Sequence, residues 1–207
     1  MVDVSIDPQL VSRVAKYVMN VLNVGQPDVF LRPEEPGDVM LMNCVRDSRV
    51  RPTMVVFSSL LKGKNERHLT FALGRYMLDL YLPHYAYVCL DRSPQRLKQI
   101  FMTCMHICGM PVQGNPAELN AYAREIVGRL PAGSVDQMRS LMRKFVEAGG
   151  SADVKKWAQA TEIAGYRTGM LLCNDLVVSA HIISQESAAF GATMTPKDKI
   201  KELVLYS

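Results

Sequence analysis

The chain has 207 residues, of which 48% are hydrophobic and 21% are charged, a composition typical of folded domains. This composition excludes intrinsic disorder, collagen-like repeats and a small scaffold held together by disulfides. The 24 basic residues exceed the 20 acidic residues by a net charge of +4, which is too mild an excess to predict a nucleic-acid partner. Five cysteines without paired spacing, and no apolar run near the ~20 residues that span a bilayer, predict a cytoplasmic protein without a membrane span.

In chain order, the first elements predicted are a helix and a small sheet. Apolar residues recur at helical spacing over residues 7–23, with Asp7 as the expected N-cap. Three short apolar runs separated by turn residues follow within 28–57, which is typical of a three-stranded sheet. The last of these runs, residues 53–57, is the expected edge of the sheet.

The remainder of the chain, residues 65–205, is predicted to be helical, with Pro or Gly near most helix boundaries. The expected helices span residues 65–82, 94–109, 116–129, 134–148, 153–172, 174–187 and 196–205. No internal repeat or linker divides the sequence, so we predict a single domain over 1–207. Its expected class is α+β, predominantly helical, with the sheet packed beside the first of these helices and a helical bundle after it.

The chain stops at the apolar run Leu203–Tyr206, without a polar tail. Two interpretations are open at this point. The run can end a docked C-terminal helix, or the chain can be a fragment of a longer protein.

Two distant segments carry a resemblance to a known family. The predicted helix over 65–82 contains Phe71-Ala72-Leu73-Gly74, and a later helix contains the stretch from Glu162 to Gly169. This order resembles the zinc metallopeptidases of the HtpX and CAAX-prenyl-protease type, in which one helix carries His-Glu-x-x-His and a later helix supplies a glutamate ligand. The resemblance covers roughly residues 50–185. It implies a metallopeptidase-like fold.

The resemblance also indicates where the zinc site would lie. Its five motif positions fall on residues 75–79, which run from Arg75 through Tyr76 to Asp79, and its third ligand falls on Glu162. Two histidines at i and i+4 would bind one zinc ion, and the glutamate between them would activate a water molecule. Arg75 repels a cation, and Tyr76 removes the general base. We therefore predict no enzyme activity, no cofactor and no metal.

The residues at these former zinc positions suggest an ion pair instead. Arg75 and Asp79 are four residues apart and would share one face of a helix. Glu162 is expected to turn partly towards the core. We predict that Arg75 takes the place of the metal and links Asp79 to Glu162, tying the two helices together. The alternative is that all three are separate charges in solvent.

The function predicted from these features is a non-catalytic, peptidase-like module that serves as an interaction or scaffold unit for a protein partner of unknown identity. In similar architectures a sheet edge beside the active helix binds an extended peptide as an added strand. Val55 and Phe57 are the candidate edge residues. Two alternatives stay open. One is a hydrolase with a non-zinc site that uses Asp79, Glu162 or Asp175 with a nearby histidine, and the other is a self-association domain that forms a homo-oligomer.

Overall fold

The computed structural model describes residues 3, 7, 9–186 and 193–207. The chain divides into two compact units, one formed by Met1–Arg92 with Ala158–Ser207 and the other by Ser93–Trp157. The unit boundaries, at 92/93 and 157/158, do not have the composition of flexible linkers. For this reason the composition of the sequence predicts a single domain over 1–207. The predicted α+β class is confirmed, because one three-stranded sheet accompanies a majority of helical residues.

The first unit begins with a helix and the sheet. These elements are α1 (Leu10–Leu22), β1 (Asp28–Arg32), β2 (Val39–Arg46) and β3 (Arg49–Phe57). Helix α1 starts at Leu10 with Gln9 as its N-cap, and the Asp7 carboxylate accepts a hydrogen bond from the Gln9 N–H (3.3 Å). Between β2 and β3, Asp47 and Ser48 both have positive φ, which is the geometry of a two-residue hairpin turn.

Strand β3 lies in the middle of the sheet, with the order β1-β3-β2. It pairs in parallel with β1, where Val55 is opposite Phe30, and antiparallel with β2, where Val55 is opposite Met40. The prediction that 53–57 is an edge is therefore wrong, because both hydrogen-bonding sides of the strand are occupied. Apolar residues on both faces of 53–57 are the sequence property that suits a central strand.

The predicted helix over 65–82 is interrupted. The segment after the sheet consists of α2 (Ser58–Leu61), α3 (Glu66–Met77), a 3-10 turn (Leu78–Leu80) and α4 (Leu82–Val88). Asn65 caps α3, as its side chain accepts a hydrogen bond from the His68 backbone N–H (3.0 Å). Because α3 ends at Met77, the residues after it do not continue its helical faces.

Three further helices follow in the C-terminal part of the chain. They are α8 (Val154–Cys173), α9 (Leu176–Ser184) and α10 (Pro196–Tyr206). Side chains that cap the next helix mark two of the boundaries. Asp175 accepts from the Val178 N–H (2.9 Å) at the start of α9, and Thr195 accepts from the Asp198 N–H (3.2 Å) at the start of α10.

Helix α3 is the central helix of the first unit, because it packs on two hydrophobic clusters. Leu69, Leu73 and Met77 face α1 and the sheet, where Met54 and Val56 are fully buried. The opposite side of α3 presents Phe71 to the second cluster. That cluster contains Tyr166, Met170, Ile183 and Leu203 from α8, α9 and α10. The predicted arrangement of a sheet beside a central helix is thus present.

The second unit consists of three helices with little interior. They are α5 (Pro94–Ile107), α6 (Pro116–Val127) and α7 (Ser134–Glu147). The structure describes every residue of 93–157, and in this range only Thr103, Leu119 and Met142 are buried. Apolar side chains such as Val127 therefore remain accessible on the surface of these helices.

Glycines allow the backbones of α3 and α8 to touch. A Cβ atom built on Gly169 would lie 2.5 Å from the Phe71 carbonyl oxygen, and one on Gly74 would lie 2.7 Å from the Leu172 Cδ1 atom. The first contact is with backbone, which cannot move aside as a side chain can. Any residue larger than glycine at 169 would force the two helices apart.

We therefore expect Gly169→Ala to lower the free energy of unfolding by about 1–3 kcal/mol, although alanine favours a helix. The control is Gly25→Ala, since a Cβ at Gly25 meets no atom within 4 Å. Its effect should stay within about 1 kcal/mol. Urea denaturation of the three proteins measures both values. Equal stability of the two variants would contradict a backbone contact between α3 and α8.

Candidate functional site

The former motif positions lie at the end of α3. Arg75 and Tyr76 belong to its last turn, whereas Asp79 lies in the 3-10 turn that follows. A 3-10 turn has 3.0 residues per turn, so Asp79 is rotated away from the face that Arg75 would share with it in a continuous helix. The predicted bridge from Arg75 to Asp79 and Glu162 is not formed, because each of these residues has a different partner.

Arg75 forms an ion pair with Glu186, which follows α9, through a short contact between Nη1 and Oε1. Its guanidinium also lies over two aromatic rings, 4.1 Å from the centre of Tyr166 and 4.9 Å from the centre of Tyr76. Burial raises the pKa of Tyr76, against the opposing effect of Arg75, so this phenol stays protonated. The arginine is thus held by one carboxylate and two ring faces.

Asp79 is paired with a different arginine. Its side chain is 5% exposed and accepts a short hydrogen bond from Arg92 Nη2. Arg92 follows α4, and the Tyr87 hydroxyl donates to its carbonyl oxygen (2.5 Å). The Asp79–Arg92 pair therefore fixes the turn after α4.

Glu162 is paired with Lys199 of α10, a buried lysine that is only 3% exposed. Lys199 Nζ lies 2.9 Å from Glu162 Oε1, 3.3 Å from Glu186 Oε2 and 2.8 Å from the Tyr166 hydroxyl. An ammonium group has three N–H donors, and these three oxygens can accept all of them. The Tyr166 hydroxyl in turn donates to Glu186 Oε2 (2.5 Å), so the donors and acceptors are matched.

These contacts form one charge network, which we define as Arg75, Glu162, Tyr166, Glu186 and Lys199. Two cations balance two carboxylates, so the buried cluster has no net charge. Burial acts to raise the pKa of Glu162, but hydrogen bonds from Thr193 and Lys199 outweigh it and lower that pKa below 4.5. The Thr193 backbone N–H donates to Glu162 Oε2 at 2.8 Å.

Three members of the charge network, Tyr166, Glu186 and Lys199, are absent from the site expected from the sequence. Lys199 lies four residues before Leu203, on the same face of α10, and Leu203 is fully buried. A lysine on the apolar stripe of a helix is a signal that can be found in the sequence. Glu186 lies outside the regular helix and gives no such signal.

A pocket of about 260 Å³ opens beside the charge network, between α2, α3 and α9. Arg75, Tyr76 and Glu186 form part of its lining. His68 also lines the pocket, and its Nδ1 atom lies 2.8 Å from Asn65 Oδ1. Burial, with Lys64 and His181 nearby, lowers the pKa of His68, so its ring is neutral at pH 7.

The carboxylates proposed for a hydrolase are all engaged by cations. Asp79 pairs with Arg92 and Glu162 pairs with Lys199, as described above. Asp175 caps α9 and lies 2.5 Å from Arg67 Nη1. A carboxylate that already binds a cation is a poor general base, because the pairing stabilises its ionised form.

Val55 and Phe57, the candidate edge residues, lie instead on one face of the central strand. Strand register places Phe30, Val55 and Met40 side by side, on the face opposite the core. We define the outer face by this row, together with Phe57 and Met42. Met40 is 47% exposed and Met42 is 36% exposed, whereas Met54 on the opposite face is fully buried.

The C-terminal apolar run Leu203–Tyr206 is divided by the helical periodicity of α10. Leu203 is fully buried in the second hydrophobic cluster, whereas Val204, Leu205 and Tyr206 are 53%, 73% and 47% exposed. The run therefore contributes one residue to the core and leaves three on the surface.

Within the described residues, no group of three or more His, Cys, Asp or Glu side chains is arranged to hold a metal ion. No helix in the same part of the chain is long and apolar enough to cross a membrane. Comparisons of the chain with protein-family models, with curated proteins and with solved structures find no match. The resemblance to zinc metallopeptidases therefore depends on the sequence positions alone.

The lowered pKa of Glu162 predicts a pH-dependent contribution to stability. Between the folded-state pKa and 4.5 the unfolded chain binds more protons, so this contribution is complete at neutral pH and is lost as the pH falls through the folded-state pKa. Glu162→Gln should cost roughly 3–5 kcal/mol at pH 7, because Lys199 loses a buried partner. The difference from the original protein should shrink on acidification.

Denaturant titrations between neutral and acidic pH measure this difference. Glu34→Gln is the matched control, since the Glu34 side chain is 88% exposed and its nearest cation, Lys62, is 4.0 Å away. That variant should match the original protein at every pH. A stability loss in Glu162→Gln that does not change with pH would contradict the assigned role of the carboxylate.

Proposed function

We propose that the chain is a non-catalytic module of peptidase-like architecture that binds a protein partner through the outer face of its sheet. The observation that carries this proposal is the apolar row of Phe30, Val55 and Met40 on the side opposite the core, in which Met40 is exposed and Phe30 and Val55 are half-buried. Methionine side chains are flexible and polarisable, so they adapt to partners of different shape. The function lies in binding rather than in chemistry.

The charge network supports a non-catalytic role. A zinc metallopeptidase of the type that this chain resembles needs metal ligands at positions 75, 79 and 162 and a general base at position 76. The base position carries a tyrosine whose pKa is raised by burial, and the first ligand position carries Arg75, which repels a cation. Glu162 and Asp79 are each paired with a different protein cation, so neither carboxylate is free to bind a metal ion.

Basic residues around the outer face indicate the chemistry of the partner. Strand alternation gives Arg32, Arg46, Arg49 and Arg51 the same face as Val55, whereas Asp28 is the acidic residue among the outer-face positions of the three strands. Arg46 lies 3.1 Å from Asp28 and Arg32 lies 3.8 Å from Glu35, which leaves Arg49 and Arg51 available to a partner. We propose that the bound segment is extended, with apolar side chains at its centre and acidic residues near its ends.

A cytoplasmic location belongs to the same proposal. All five cysteines lie within the described residues, and all five are free thiols. Such cysteines suit a reducing compartment, where disulfides do not persist.

The first prediction from this proposal concerns zinc. Elemental analysis of the protein purified without a histidine tag or a chelator should find zinc far below one ion per chain. The reason is that Arg75 repels the ion, while Lys199 and Arg92 occupy the two carboxylates of the former site. One zinc ion per chain that survives dialysis would overturn the non-catalytic role.

The second prediction concerns the outer face. Selection on the immobilised protein from a random-peptide phage library should enrich peptides that combine apolar and acidic residues. Met40→Lys should abolish their binding, and Val55→Thr should weaken it by about three- to tenfold, because a hydroxyl replaces a buried methyl group. The matched control for Met40→Lys is Val45→Lys, because Val45 is a 74% exposed residue of the same strand, β2, on its opposite face.

Three results would contradict this prediction. The library can yield no enriched peptide, or Met40→Lys can bind the enriched peptides as the original protein does. Sedimentation can also find a dimer that Met40→Lys dissociates, in which case the outer face binds a second copy rather than another protein. Circular dichroism of each variant verifies that the fold is intact.

A further inference from the structure

The second unit contains a groove that the proposed function does not use. It has a volume of about 840 Å³ and is bordered by the end of α5, by α6 and by the first half of α7. Its floor is apolar, formed by Ile107, Ala123, Val127 and Val135. Val127 is 44% exposed, so the floor is open to a ligand rather than closed within the unit.

Arginines border this groove on two helices. Arg124 lies on α6 and Arg139 lies on α7. Arg124 Nε donates to the Asn120 carbonyl oxygen of its own helix (3.3 Å), and no carboxylate of the described residues pairs with it. Arg139 pairs with Asp136 at 2.9 Å, but that aspartate is 80% exposed, so the pair is worth little and an incoming carboxylate can replace it.

The charge of the chain is concentrated in the same unit. Residues 93–157 contain nine lysines and arginines against five acidic residues, so this unit alone carries a charge of +4, which equals the net charge of the whole chain. The first unit is therefore neutral in sum. A long-range attraction for acidic partners originates from the second unit.

We propose that this groove binds an acidic amphipathic helix of a partner protein. An open apolar floor between helices accepts side chains spaced at i, i+3 or i+4 and i+7 on one face of a bound helix. Arg124 and Arg139 then meet Asp or Glu residues that flank the apolar stripe of the bound helix. The proposal adds a second binding surface, and its variants do not touch the outer face of the sheet.

Two other occupants fit the groove less well. Single-stranded nucleic acid needs aromatic side chains on which bases stack, and the groove lining contains no Phe, Tyr or Trp. A second copy of this chain offers no unit of net negative charge, because the first unit is neutral in sum and the second is basic. An acidic helix matches both the apolar floor and the charge of the rim.

The test uses three fluorescent probes and the full chain. One probe is a synthetic amphipathic helix with leucines on one face and glutamates on the other. The second has lysine in place of each glutamate, and the third is a single-stranded oligonucleotide. Fluorescence anisotropy should detect binding of the acidic helix with an affinity that falls as salt is raised, and weak or no binding of the lysine helix.

Matched variants locate the binding site. Val127→Asp and Arg124→Glu should each weaken binding of the acidic helix by at least about tenfold. Val127→Asp places a negative charge in the apolar floor, and Arg124→Glu reverses the sign of one charge at the border of the groove, so both variants repel an acidic helix. The controls are Val146→Asp and Arg143→Glu, which make the same changes on α7 outside the groove, where Val146 is 52% exposed. Both controls should bind as the original protein does.

Several outcomes would overturn the proposal. The acidic helix can fail to bind, can bind equally to all four variants, or can bind no better than the lysine helix. Binding of the oligonucleotide that only Val127→Asp and Arg124→Glu remove would assign the groove to nucleic acid instead. Failure of this test leaves the outer-face prediction intact, since Met40→Lys and Val127→Asp change different units.

Discussion

A single lysine buried between three acceptors determines much of the first unit. Lys199 reaches the core only because Glu162, Glu186 and Tyr166 accept its three N–H groups. Removing either carboxylate would leave the two buried cations with a single carboxylate between them, which is far more costly than an ion pair is stabilising. The charge network therefore fixes α8, the end of α9 and α10 in one geometry, and its contribution is specificity of structure more than stability.

Helix α3 connects this network to the sheet. One side presents Arg75 to Glu186, and the other side packs Leu73 and Met77 on the buried face of the sheet. Helices α3 and α1 cover only this face, on which Met54 and Val56 lie. The residues between them in the strand, Val55 and Phe57, therefore lie on the outer face. The apolar row around Val55 on the outer face is thus a consequence of a central strand that is apolar on both sides but covered by helices on one.

The sequence predicts the elements of this chain better than their contacts. Helical periodicity and turn residues locate the three strands and the long helices to within a few residues, because these signals are local. The order of the strands and the end of α3 at Met77 depend on tertiary packing, which local patterns do not report. The sequence therefore predicts β3 at an edge and Asp79 on the same helical face as Arg75, and both predictions are wrong. The partners of Arg75 and Glu162 lie 111 and 37 residues away, a separation at which charge alone does not select a pair.

The two units differ in how they use charge, and this difference bears on recognition. In the first unit, buried cations have buried carboxylates as partners, so these paired charges cancel and contribute little to the electric field outside the protein. In the second unit the basic residues are exposed and exceed the acidic ones, so their field extends into solvent over about a Debye length. A unit with three buried residues also keeps its apolar side chains accessible. In the second unit, exposed cations beside accessible apolar surface favour an acidic amphipathic partner. On the outer face of the first unit, Arg49 and Arg51 lie beside an apolar row, which favours an extended partner with acidic ends.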